Sequence, residues 1–245
     1  VEGIAAGSPP DPGIVELRLL AGFELLRHGS PVDLPLGAQR VLAFLAIEGR
    51  PQLRTHVAGV LWPNVPAGRS AASLRSALWR MHRIGRGLVW SSSGRVGLGP
   101  HVEVDVHRAV ALARQLEDRA TPPPPAGTTE LLDGDLLPDW FDDWVVPERE
   151  RLRQVRLHAL ERLAALLMET GRHAEAIDAA MRAMTSDPLR ESAHRALIQV
   201  HLVEGNHAEA IRQFEAYRSL VRIELGVEPS PAMMQLIASS PRTGA

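Results

Sequence analysis

The chain has 245 residues, 45% of them apolar and 23% charged, a balance that suits a globular protein of one large or two ordinary domains. It contains no cysteine, which excludes disulfides and thiolate metal sites. All 27 basic residues are arginine, set against 29 acids; without lysine a phosphate loop of the GxxxxGK type is excluded as well.

The charge is unevenly placed. Residues 1–110 hold 12 arginines and 8 acids, whereas 111–245 hold 15 arginines and 21 acids. Between Gly49 and Val102 lie eight arginines and no acid, the electrostatic footprint of a polyanion-binding module.

In chain order, residues 1–13 are rich in Gly, Pro, Ala and Ser and are expected to form a disordered tail. They show neither a basic n-region nor an apolar h-region, and no apolar run approaches the ~18 residues of a membrane span, so a cytoplasmic location without a membrane partner is expected. VELRLLAGFELLRHGSPVDLP, broken at Gly22 and at His28-Gly29-Ser30-Pro31, predicts three short antiparallel strands. GAQRVLAFLAIEGR carries apolar residues at 41, 42, 44, 45 and 47 and predicts a first helix ending at Gly49. A second helix is expected over Thr55 to Leu61 and a third from Ser70, as its cap, to Gly85. Leu88-Val89-Trp90 and Val96-Gly97-Leu98, around Ser-Ser-Ser-Gly-Arg, predict a β-hairpin.

The second half reads differently. Val104–Asp118 predicts a helix, and the four prolines of TPPPPAGTT a stiff exposed loop over 121–129. The acidic, tryptophan-bearing LLDGDLLPDWFDDWVVPERERLR follows, and then almost continuous helix, with a short tail expected at 238–245. GRHAEAI at 171–177 returns as GNHAEAI at 205–211, an offset of 34 residues, the period of tetratricopeptide helix pairs. Ala176, Ala180, Ala183 and Pro188 fit the small-residue and proline positions of a second helix, and Leu160, Leu163, Ala164 and Leu167 the packing face of a first. Tyr217 and Arg222 depart from the repeat in the second copy, which is expected to end the stack.

On a helical wheel at about 100° per residue, Leu74, Ala77, Leu78, Met81 and Ile84 share one stripe, while Arg69, Arg75, Ser76, Trp79, Arg80 and Arg83 fall on the opposite half. An arginine fork can take O6 and N7 of guanine together or clamp a phosphate. Arg75, Ser76, Trp79 and Arg80 are therefore the candidate base readers. Arg54, Arg69, Ser70, Ser73, Arg83, Arg86 and Arg95 are the candidate phosphate contacts, with Arg95 at the hairpin tip and Ser70 and Ser73 at the helix start. The competing reading is a solvated arginine face with Trp79 packed on another part of the protein.

The sequence resembles the Streptomyces antibiotic regulatory protein family across roughly residues 14–237. The resemblance is carried by Leu61-Trp62-Pro63, LRSALWRMHR, Val104-Asp105-Val106, GDLLPDWFDDWVVPERERLR, DPLRESAHRALIQVHLVEGNHAEAIRQF and ELGVEPSP. It implies a mainly α fold with a small β component: a winged helix-turn-helix of the response-regulator type over 14–100, then a tetratricopeptide-like bacterial transcriptional activator domain over 101–237. It further implies a pathway-specific activator of an antibiotic gene cluster that binds direct repeats in double-stranded DNA as a dimer, recruits RNA polymerase holoenzyme and associates with the nucleoid. The proline insert at 122–125 departs from the family pattern. Nucleotide-binding and sensor domains of larger members have no counterpart here, so ligand-dependent control is not expected within this chain.

No enzyme signal competes. The ten histidines form no metal-protease motif, and His173 and His207 occupy equivalent repeat positions, which suits a role in the fold. Asp133, Asp135, Asp139, Asp142 and Asp143 read as a solvated face rather than paired catalytic carboxylates, with Trp140, Phe141 and Trp144 expected to pack. No cofactor and no metal are expected. Two other readings fit the same residues: a helical-repeat scaffold whose N-terminal module docks an acidic peptide, and a repressor using the same DNA-binding module.

Overall fold

The computed structural model describes residues 15–85, 87–118, 122–125 and 128–238. The expected tail over 1–13, all of the expected 238–245 tail beyond Ala238, and residues 121, 126 and 127 of the proline-rich loop lie outside the described residues. The fold is mainly α with two small sheets, and it divides into two compact units. The first takes residues up to 107 together with 135–149, and the second 108–134 and 150 onward.

In the first unit, β1 (Val15–Arg18), β2 (Glu24–Arg27) and β3 (Ser30–Pro31) form the expected antiparallel meander. The alternation of VELR turns Val15 and Leu17 into the core and leaves Arg18 exposed. The helices α1 (Leu36–Glu48), α2 (Arg54–Leu61) and α3 (Ala67–Ile84) follow. Helix α1 is buried on more than a stripe: Ala38 and every residue from Val41 to Ala46 are out of solvent. Leu17, Leu42, Leu45, Leu61, Leu74 and Met81 are each at most 1% exposed and fill the centre of this unit.

Two strands add to the expected order. β4 (Gln52–Leu53) pairs with β6 (Arg95–Leu98), the second strand of the β5 (Val89–Ser92)–β6 hairpin, making a three-stranded wing. At the hairpin turn Ser93 and Gly94 both have positive φ, +50° and +78°, the two-residue geometry that matches strand twist. β7 (Val102–Val104) joins β1 in parallel, Leu17 opposite Val104, so the helix expected from Val104 begins instead with α4 at Asp105 (Asp105–Glu117).

Residues 135–149 also belong to this unit. Leu136 bridges Leu20, the Leu137 amide donates to the Leu19 carbonyl at 2.9 Å, and the Ala21 amide to that of Asp135 at 2.9 Å. Arg149 gathers the carbonyls of Leu136, Leu137 and Trp140. Trp140 stacks on Phe23 at 5.9 Å and Trp144 meets Phe44 edge-on at 5.3 Å. Phe141 does not pack as expected: it is 83% exposed, because the flanking tryptophans take the apolar contacts and turn it outward. The expectation of an entirely solvated acidic face is corrected at Asp142, which is ion-paired with Arg40 of α1.

The second unit is helical. A 3-10 turn at Thr128–Leu132 precedes α5 (Val145–Glu169), whose later turns pack with α6 (His173–Ser186); α7 (Glu191–Val203), α8 (His207–Leu225) and α9 (Pro231–Ala238) complete it. The repeated motif marks structure directly: His173 opens α6 and His207 opens α8. The preceding glycines, Gly171 and Gly205, turn the chain at φ +75° and +80°, a conformation that a side chain would strain. Leu160, Leu163, Ala164 and Leu167 pack with Ala176, Ala180 and Ala183 in one core, where alanines let the helices approach closely. Ala210, Phe214, Tyr217 and Val221 form another with Ile198, and α9 closes it with Met233.

Buried His194 ties this second core together. Its Nε2–H donates to the Pro188 carbonyl at 2.8 Å, its Nδ1 accepts from the Gln213 amide at 2.8 Å, and its ring lies 4.4 Å from that of Tyr217. Burial lowers its pKa below the ordinary 6.5, which favours the neutral ring that this bonding requires.

Candidate nucleic-acid interface

The candidate surface is built on α3. Leu74, Ala77 and Met81 are buried, with Leu78 and Ile84 partly covered, so the helix is anchored along one stripe. Arg69, Arg75, Ser76, Trp79, Arg80 and Arg83 are exposed. Among the described residues none of these four arginines has an ion-pair partner, and the Arg83 guanidinium lies 4.9 Å from the Trp79 ring centroid. Trp79 is 59% exposed, so this cation–π pair sits on the surface.

The start of α3 differs from expectation. Pro66 is the residue before the helix and supplies an extended ψ of 147°, so α3 begins at Ala67 and Ser70 is already inside it. Ser70 is 4% exposed, and its hydroxyl donates to the Ala67 carbonyl at 3.0 Å. The Arg69 and Ser70 amides donate to the Pro66 carbonyl, which leaves the earlier amides of Ala67 and Gly68 at the open end. Ser73 is half-buried one turn further on. At the other end Arg27 donates to the Ile84 carbonyl at 3.3 Å, and its guanidinium fills the space where any side chain at Gly85 would stand. Arg86 lies outside the described residues.

The wing supplies two further arginines. Arg54, the first residue of α2, reaches Ser91 Oγ of β5 at 3.3 Å. Arg95 is the first residue of β6 and not the tip itself; it is exposed and donates to the Pro51 carbonyl at 3.3 Å. Each braces the wing through one hydrogen bond, and a guanidinium carries five N–H donors in all.

Sequence reasoning passed over three supporting residues. Asp105 accepts from the amides of Leu19, Leu20 and Val106 at 2.7–3.0 Å and so ties the start of α4 to the end of β1. Burial outweighs those donors and pushes its carboxyl above the ordinary range. Trp90 of the wing is 38% exposed and lies so close to Gly97 that a Cβ there would fall 2.7 Å from its Nε1. Arg27 holds the end of α3. The only signal for Asp105 was its place between two valines in the quoted motif; nothing local pointed to Trp90 or Arg27.

The fold is thus a winged helix with a cationic helix face, followed by tetratricopeptide-like helix pairs. The family profile described as bacterial transcriptional activator domain matches residues 104–239, and the chain belongs to that family. It is 29% identical over 229 residues to "Regulatory protein AfsR" of Streptomyces griseus, covering 90% of this chain and 23% of that protein. It is also 29% identical over 238 residues to the protein of that name from Streptomyces coelicolor, covering 92% and 24%. The chain thus spans about a quarter of the length of these curated relatives. Among solved structures it resembles Mycobacterium tuberculosis EmbR in complex with a low-affinity phosphopeptide, with a TM-score of 0.73 and 20% identity over 91% of this chain and 64% of that one. Among the described residues no group of three or more His, Asp or Glu is placed to hold a metal ion, and no helix is long and apolar enough to cross a membrane.

Proposed function

We propose that this chain is a sequence-specific DNA-binding transcriptional activator, a pathway-specific regulator of a specialised-metabolite (antibiotic) gene cluster. In this reading it binds direct repeats near the promoter as a dimer and recruits RNA polymerase holoenzyme. The observation that carries the reading is the cationic face of α3, unpaired among the described residues, opposite its buried stripe. The family membership and the regulatory relatives support it.

Helix α3 enters the major groove, which is wide enough for it. Arg75, Ser76, Trp79 and Arg80 face base edges and their flanking sugars. Arg54, Arg69, Ser73, Arg83, Arg86 and Arg95 take phosphates, and the amides of Ala67 and Gly68 take the place expected of Ser70. Residues 14–100 are the proposed DNA-binding part and 101–237 the part that serves self-association and polymerase.

Mobility shifts on DNA from upstream of the adjacent genes, at stepped salt, test this. Arg75→Ala should lose about 1–3 kcal/mol and relax specificity at one position, while Arg83→Ala should weaken all sequences alike and reduce the salt slope by about one. Wild-type binding to operator and random DNA by both variants would overturn the assignment. A promoter reporter in a deletion strain settles the sign, because loss of an activator lowers expression and loss of a repressor raises it.

A further inference from the structure

The least covered large apolar side chain and a small empty cavity match each other in size and charge. Phe141, 83% exposed, projects from a loop that is fixed at several points: Arg149 holds three of its carbonyls, Asp142 is paired with Arg40, and Trp140 is stacked on Phe23. A ring presented from a pre-ordered loop loses little conformational freedom on docking. Asp139 and Asp143 beside it are exposed and make no ion pair among the described residues.

In the helical unit, a cavity of about 140 Å³ opens between α5 and α7. Its floor is Ala164, Ala165, Met168, Ala196 and Val200. Glu161, Ser192, Arg195 and Gln199 complete the lining, so polar groups ring the apolar floor; a volume of roughly 150 Å³ is enough for a benzene ring. Two of its rim charges differ in kind: Glu161 is consumed by Arg190 at 2.5 Å and by Ser192 at 2.6 Å, whereas half-buried Arg195 has no partner among the described residues. The cavity therefore offers an apolar floor and one spare cation. A larger cavity under Pro124 and Pro125 does not, since its rim cations Arg172 and Arg182 are already paired with Glu175 and with Asp133 and Asp178.

We propose that Phe141 of one copy of this chain inserts into the α5–α7 cavity of a second copy, with Asp139 or Asp143 meeting Arg195. The two surfaces differ, so the contact is head-to-tail and leaves one knob and one hole free for the next copy. Copies on direct repeats point the same way along the DNA and require a contact of this heterologous kind; this consequence alone rests on the function proposed above.

Sedimentation of the full chain without DNA tests the contact separately from that function. Wild type should associate beyond a dimer as concentration rises, and Phe141→Ala and Arg195→Glu should each weaken association about tenfold or more while melting like wild type. A one-to-one mixture of the two variants should recover dimers, because one copy keeps the hole and the other the knob. That recovery also shows that neither variant has misfolded. A wild type that stays monomeric throughout, variants that associate like wild type, or a mixture of folded variants that stays monomeric would each overturn the proposal. Binding of either variant to a single repeat should match wild type; its loss there would instead bear on the DNA-binding reading.

Discussion

Arginine does opposite work in the two units. In the helical unit Arg153, Arg172, Arg182, Arg190, Arg212, Arg218 and Arg222 each meet a carboxylate. On α3, Arg69, Arg75, Arg80 and Arg83 meet none among the described residues. The difference follows from the acid-free window between Gly49 and Val102, which removes local partners from the surface that carries α3. Paired surface arginines have little charge left for a ligand; an unpaired row on one face is a field waiting for a polyanion.

The largest expected effect breaks the unpaired side of this contrast. If α3 reads DNA as proposed, Arg75→Glu combined with Arg80→Glu should remove two base contacts of about 1–3 kcal/mol each and add repulsion, so that specific binding in a mobility shift disappears. Persistence of a specific shift would mean that α3 is not the reading helix.

On the helical side, packing rather than charge should dominate. Leu163→Ala, at a site 1% exposed between α5 and α6, should cost about 2–5 kcal/mol in denaturant unfolding of that unit and leave operator contacts of α3 intact. A loss below 1 kcal/mol would mean that the helix pair does not depend on its shared face.

Asp105→Ala orphans the amides of Leu19 and Leu20 and should cost about 1–3 kcal/mol for each donor left buried without a partner. Unfolding of the first unit with Asp105→Asn alongside separates the roles: the Asn oxygen should restore part of the loss, and an Asn variant as weak as Ala would show that charge rather than acceptor capacity matters.

A smaller effect concerns pH. His194 has its pKa lowered from 6.5, so the unfolded chain takes a proton before the folded one does. Its contribution to stability is complete above about pH 6.5 and is lost as pH falls toward the folded value. Unfolding midpoints measured from about pH 8 down to pH 5 should fall in wild type and fall less in His194→Gln; parallel profiles would remove His194 as the cause. The smallest effect is expected at Glu228, which bridges Arg218 and Arg222 on an open surface. Glu228→Gln should leave thermal stability within error at moderate salt, in keeping with the paired side of the contrast.

The legibility of the chain follows the reach of its interactions. Helix α3 could be read because its stripe and its cationic face repeat every 3.6 residues within one short segment. The helix pairs could be read because the 34-residue copy fixes where α6 and α8 begin. The first turn of α3 departs from its local signal: Ser70 has the chemistry of a cap, yet Pro66 starts the helix earlier and carries Ser70 inside. β4 and β7 were missed because strands of two and three residues hold no pattern of their own; β7 exists only through β1, some 85 residues away in the chain.

Sequence by itself therefore determined the class of fold, the basic window, the face of α3 that carries it and the period of the helical half. All of these are properties of neighbours along the chain. Tertiary structure decided which charges are spent and which are spare. It paired Asp142 with Arg40, folded the tryptophans at 140 and 144 onto Phe23 and Phe44, turned Phe141 outward and left Arg195 without a partner among the described residues. The physical reason is that hydrogen bonding and burial are settled by groups distant in sequence, and no local pattern states which of two identical side chains will find one.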